Sequence, residues 1–310
     1  MANLLPYGHR ARAAYLSTDQ IPALQAGMLQ VQQYGNDWFV NSAASAGGNG
    51  ASPEGALTTV AAATALALSG DRVHIAPGHA ETISAAGGIT FSKAGVQYFG
   101  YGNGSTRPTF TFSATASTML FTAADVLLSN VRMTCSIDEV VSLILVSAAR
   151  VSLVGVDYFE TASMTPINWL TTTAGGTDLT IAGCRHYQAT ASGAANGSWI
   201  MLTGADRVRI LDCTFYITLP NGASSSIIDS VTTASLNVDI SRCKLTQLGG
   251  TTQDNIIDLM TGCTGHVSET VCAGDVGTLA ASIDLASAFA SLVYSGTTVN
   301  KNGILDPVVA

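Results

Sequence analysis

The chain has 310 residues, of which 11% are charged and 47% hydrophobic, with a mean hydropathy of +0.33. Ordinary soluble domains carry roughly 25% charge, so this surface is short of ions and is expected to be covered by partners. Thirteen lysines and arginines against 21 aspartates and glutamates give a formal charge of −8, which leaves no basic stripe for nucleic acid. The apolar share is rich in alanine, and the most apolar window, residues 140–156, is interrupted by Arg150. That window falls short of the ~20 residues of a spanning helix. No apolar secretory core opens the sequence, so folding and assembly in a cytoplasm are expected, with no membrane partner.

In chain order, residues 1–36 read as an extended arm with aromatic and basic anchors at Tyr7, His9, Arg10, Arg12 and Tyr15. Residues 37–70 read as an entry strand and a capping helix, with Ser52 as its N-cap, Pro53 at its first position and Gly70 as its stop. Residues 71–275 then repeat one phrase: an aliphatic opener, and five positions later a small or apolar residue. The pairs are Val73/Gly78, Val96/Tyr101, Val126/Val131, Val151/Val156, Leu179/Cys184, Val208/Cys213, Val238/Cys243 and Val267/Cys272. Successive openers are 23, 30, 25, 28, 29, 30 and 29 residues apart, a period that belongs to solenoids. Val, Ile and Thr alternate with period two and are punctuated by Gly, Asn and Ser, which excludes helical repeats. A second strand recurs before each later opener, at 117–121, 142–146, 198–202, 226–230 and 255–259. The fold predicted is all-β, a parallel β-helix of about eight coils. Residues 276–310 read as a C-terminal cap and tail, with helical spacing over 276–296.

Stacked coils lie ~4.8 Å apart, so Cys184, Cys213, Cys243 and Cys272 are expected to form an inward column of free thiols. Side chains one rung apart sit beyond disulfide geometry and cannot converge on a tetrahedral metal. No metal or cofactor is therefore expected.

Glycosidases need two carboxylates roughly 5–10 Å apart, and strand alignment puts Asn168, Asp229 and Asp258 on one ladder. Asp229 and Asp258 are the best catalytic pair, although corner or surface carboxylates are the simpler reading. The three lysines, Lys93, Lys244 and Lys301, stand near no acidic cluster, and Trp38, Trp169 and Trp199 are scattered rather than aligned along a sugar groove. His79 and Glu81 read as first-coil turn residues, 100–105 as a glycine-rich corner, and His186 and His266 as core-edge or surface residues.

The run WFVNSAASAGGNGASPEGALTTVAAATALALSGDRVHIAPGHAETI (38–83), with GGITFSKAGVQYFGYGNGSTRPTFTF (87–112), resembles the opening of phage-encoded, pectin-lyase-like right-handed β-helix virion proteins. The resemblance implies a right-handed coil and a place in a phage particle. Taken with the arm and the scarcity of charge, it leads to the expectation of a non-enzymatic capsid decoration or cement protein. That protein would be a homotrimer docking on the major capsid protein through residues 1–36. The alternative is a tailspike-like protein that binds or cleaves a host surface polysaccharide.

Overall fold

A computed structural model describes residues 35–194, 196–219, 225–247 and 256–274, together with the backbone of 283–284 and 298–300. The arm residues Tyr7, His9, Arg10, Arg12 and Tyr15 lie outside the described residues, as does most of 276–310.

The alternating sequence folds into three parallel sheets, to which each turn of the chain contributes one strand apiece. Among the described residues, sheet A has nine strands, from Asp37–Val40 to Gly265–Ser268; sheet B has nine, from Ala80–Ile83 to Thr298–Asn300; sheet C has eight, from Ile89–Phe91 to Ile283–Asp284. All inter-strand ladders are parallel, as in Leu153 opposite Ile181 and Ile181 opposite Ile210. The result is a β-helix of about seven complete turns. Its core is a set of inward columns, such as Tyr98, Leu128, Leu153, Ile181, Ile210 and Ile240 on sheet A, each fully buried.

The corners that flank sheet A are built from left-handed residues stacked rung upon rung. On its entry side these are Gly70, Gly95, Asp125, Arg150, Asp178, Arg207 and Asn237, with φ from +51° to +83°. On its exit side they are Asn130, Gly155, Gly183, Asp212, Arg242 and Glu269. A left-handed backbone costs a non-glycine residue roughly 1–2 kcal/mol. Side chains at these corners partly offset it: Asn130 Nδ2 donates to the carbonyls of Gly100 and Gly102, at 2.8 and 3.0 Å. Arg150 reaches Asp125, Arg207 reaches Asp178 and Arg242 reaches Asp212, at 2.6, 2.6 and 2.7 Å.

Four expectations change. The capping helix spans Val60–Leu66, with Thr59 as N-cap, not Ser52–Gly70. Pro53 precedes it because the backbone at Leu57 is drawn into an extended bridge with Val40, bonding Phe39 and Asn41 at 2.8 Å each. Pairing on an open strand edge satisfies those groups before a helix can. Of the openers, Val96 to Val238 share one column, but Val73 and Val267 sit two residues further along. Cys272 accordingly leaves the sulfur column. It stacks on Leu245, while Thr270 takes the rung above Cys243. Cys184, Cys213 and Cys243 do stack, continuing Val131 and Val156, and all six cysteines are buried and unbridged. The neighbouring thiol of Cys184, together with burial, holds Cys213 above the usual thiol range, and Cys213 acts on Cys243 in the same way. At the C-terminal end, Ile283 and Asp284 extend sheet C beside Ile257 and Asp258, where helical spacing had pointed to a helix.

Candidate ligand-binding face

The outer face of sheet B follows from its strand pattern. In Asp157–Phe159, Arg185–Gln188, Thr214–Ile217 and Lys244–Gln247, alternate side chains point out. Parallel register then aligns two outward columns. One holds Arg132, Asp157, Arg185, Thr214 and Lys244, and the other Phe159, Tyr187 and Tyr216.

The aromatic column is half exposed, Phe159 at 52% and Tyr187 at 44%. Their rings stack at 5.6 Å between centroids, 28° apart in plane. A cation closes each end: the Arg132 guanidinium lies 5.9 Å over Phe159, and Lys244 Nζ lies 5.1 Å over Tyr216. Such pairs are worth about 0.5–1 kcal/mol when exposed. Beside the column runs a groove of about 430 Å³, bordered by Gly104, Arg107, Arg132, Asp157 and Arg185. Asp157 is ion-paired with Arg107 and accepts the Arg185 backbone N–H at 3.1 Å. Arg107 Nε and Arg132 Nε are shielded from solvent and donate to no protein acceptor.

Charge is concentrated here. Of the ten lysines and arginines among the described residues, Arg72, Arg107, Arg150, Arg207 and Arg242 are in ion pairs. Of the other five, Arg132, Arg185 and Lys244 stand on this face. Four cations and one carboxylate make it net positive on a chain of charge −8, a local field that draws anions. What the arrangement can do is hold an extended polymer that offers apolar ring faces and negative charge at the period of the rungs.

Sequence reasoning missed this row by counting tryptophans. Phe159, Tyr187 and Tyr216 are 28 and 29 positions apart, one repeat each, and an aromatic recurring at the repeat period was the available signal. The tryptophans point inward: Trp169 and Trp199 are fully buried, and Trp38 packs against the core.

The other candidates fall elsewhere. Asp229 and Asp258 face each other on adjacent strands. Asp229 is 4% exposed and accepts the Ser198 hydroxyl at 2.6 Å, so its carboxylate belongs to the wall rather than to an open cleft. Asn168 is not on their ladder; it lies opposite Ser142 and accepts the Ser198 N–H at 3.1 Å. His79 and Glu81 are a buried pair, 3.1 Å apart, and Glu81 also accepts the Val60 N–H at 2.6 Å, closing the first turn of the helix. His266 is a half-exposed partner of Asp239 at 3.4 Å. His186 is inside the coil rather than at its edge: its Nδ1 accepts from Trp199 Nε1 at 2.6 Å and its Nε2 donates to the Val156 carbonyl at 2.9 Å. Among the described residues, no group of three or more His, Cys, Asp or Glu is placed to hold a metal ion.

No protein-family model matches the chain, and no curated protein does. Among solved structures, a rhamnogalacturonan lyase superposes over 88% of this chain and 90% of its own, with a TM-score of 0.47 and 8% sequence identity. A likeness that distant carries nothing about chemistry. What stands, on the chain's own three sheets, is a parallel β-helix.

Proposed function

We propose that this chain is a non-enzymatic β-helix of a phage particle that binds an acidic polysaccharide along the outer face of sheet B. The observation that carries the reading is the Phe159–Tyr187–Tyr216 column flanked by Arg132, Arg185 and Lys244. Aromatic edges and faces take the apolar side of sugar rings, and guanidinium groups take carboxylates with charge-assisted bonds. The phage setting comes from the resemblance over 38–112, and the absence of cleavage from the closed surroundings of Asp229.

Titration calorimetry of the full chain with polygalacturonate, a polymer of uronic acids, tests it. Binding is expected, weakening with added salt because the pairing charges are exposed. Arg185→Ala and Tyr187→Ala are each expected to weaken it about tenfold. Asp229→Asn and Asp258→Asn should leave it unchanged. Absence of binding to uronic, sulfated and sialylated polymers alike, or binding indifferent to both face variants, would contradict the reading.

A second reading, capsid decoration, is favoured by the 11% charge content. There residues 1–36, with Tyr7, His9, Arg10, Arg12 and Tyr15, dock on the major capsid protein and the body packs as a homotrimer.

A further inference from the structure

A second groove, of about 550 Å³, opens at the N-terminal end of sheet A. The segment 101–107 borders both grooves, with Tyr101 lining this one and Gly104 and Arg107 the other. Phe39, Pro53 and Pro77 form apolar walls. Across them runs a single polar chain. Asp37 Oδ1 is 2.9 Å from His74 Nε2, and His74 Nδ1 is 2.8 Å from Tyr101 Oη. Three neighbouring rungs supply it: Asp37 and Phe39 from the first strand, Arg72 and His74 from the second, and Phe99 from the third, with Tyr101 one residue past its end. The imidazole is clamped between Phe39 and Phe99, at 5.1 and 6.1 Å between ring centroids and within 24° of both planes. Arg72 neutralises Asp37 with two contacts, at 2.9 and 3.1 Å.

The direction of this chain follows from its fixed end. The Asp37 carboxylate, paired with Arg72, accepts from His74 Nε2. Where Nε2 carries the ring's only proton, Nδ1 is an acceptor, and the Tyr101 hydroxyl donates to it. Its proton spent, Tyr101 offers the groove its lone pairs, and each bond in the chain polarises the next. The end that a ligand meets is therefore an uncharged acceptor, 45% exposed at Tyr101, between apolar walls.

We infer that this groove is a binding site for a neutral pyranoside, whose hydroxyl donates to Tyr101 while its C–H face lies on Phe39 and the prolines. The volume is that of a small-molecule pocket. An anion gains nothing there, because the Arg72 charge is already paired. The site is separate from the sheet B face and does not rest on the reading given to that face.

Saturation-transfer NMR on the full chain tests it, with methyl glucoside, galactoside, mannoside and rhamnoside as probes and their fully O-methylated forms as controls. At least one free glycoside should receive magnetisation, and its O-methylated form, which has no donor, should not. Tyr101→Phe should weaken binding about tenfold, the loss of one hydrogen bond, with the circular dichroism spectrum of the native chain. Arg185→Ala should bind the glycoside as the native chain does and weaken on polygalacturonate instead, so the two sites fail separately. The inference is overturned if no free glycoside binds, if Tyr101→Phe binds it as tightly as the native chain, or if the O-methylated form binds equally well.

Discussion

His186 is buried inside the coil among Tyr158, Trp169, Trp199 and Phe215, stacked 4.4 Å from the last of these. Burial pushes its pKa down to about 3, against which its bond to the Val156 carbonyl works only in part. An unfolded histidine titrates near 6.5. Between about 6.5 and 3 the unfolded chain therefore binds a proton that the folded chain excludes, and stability falls as pH falls, by at most ~1.4 kcal/mol per unit. From pH 7.5 to 4.5 this residue alone should remove about 3 kcal/mol. Urea unfolding at the two pH values checks it: His186→Phe keeps the stack on Phe215 and should lose distinctly less than the native chain, and equal losses would contradict the account. The strand Arg185–Gln188 also shows why such a residue escapes sequence reading. Hydrophobicity alone would turn Tyr187 inward, yet the register with Tyr158 and Phe215 buries His186 and Gln188 and leaves Tyr187 outside.

At the scale of the elements, strands were legible wherever one rung repeats the last, because stacking demands the same residue class at the same height. Ends were not. The helix shrinks to Val60–Leu66 because its first residues pair with an open strand, and the Val267 phrase mimics its predecessors while lying two residues out of register. Neither effect has a local signature, since both depend on what the neighbouring coil leaves unpaired. The corner column that enters sheet A alternates in charge: Asp125, Arg150, Asp178, Arg207. Arg150 and Arg207 hold Asp125 and Asp178 below the usual carboxylate range. Alternation matters more for register than for stability, since exposed pairs contribute little but like charges on successive rungs repel. Asp178→Arg would set three guanidinium groups in a row. Its thermal midpoint should fall below that of Asp178→Ala, and the gap should narrow in 1 M salt, where the Debye length is about 3 Å. A gap insensitive to salt would show that the column is not electrostatic.

For the molecule as a whole, architecture came through in the sequence because a β-helix is one decision repeated, whereas the proposed binding face is a property of two outward columns that only register brings together. The decoration reading has its own test at this scale. Deleting residues 1–36 should leave the β-rich circular dichroism of the body intact and abolish co-sedimentation with phage heads; retained co-sedimentation would remove the arm from that role. The central claim concerns where a polymer lies, and hydrogen–deuterium exchange of the full chain with and without polygalacturonate addresses it most directly. The account predicts added protection over 157–159, 185–188 and 214–217 and over the 104–107 border, with sheet C unchanged. Protection centred on Asp229 and Asp258 in sheet C, or none on sheet B, would contradict it.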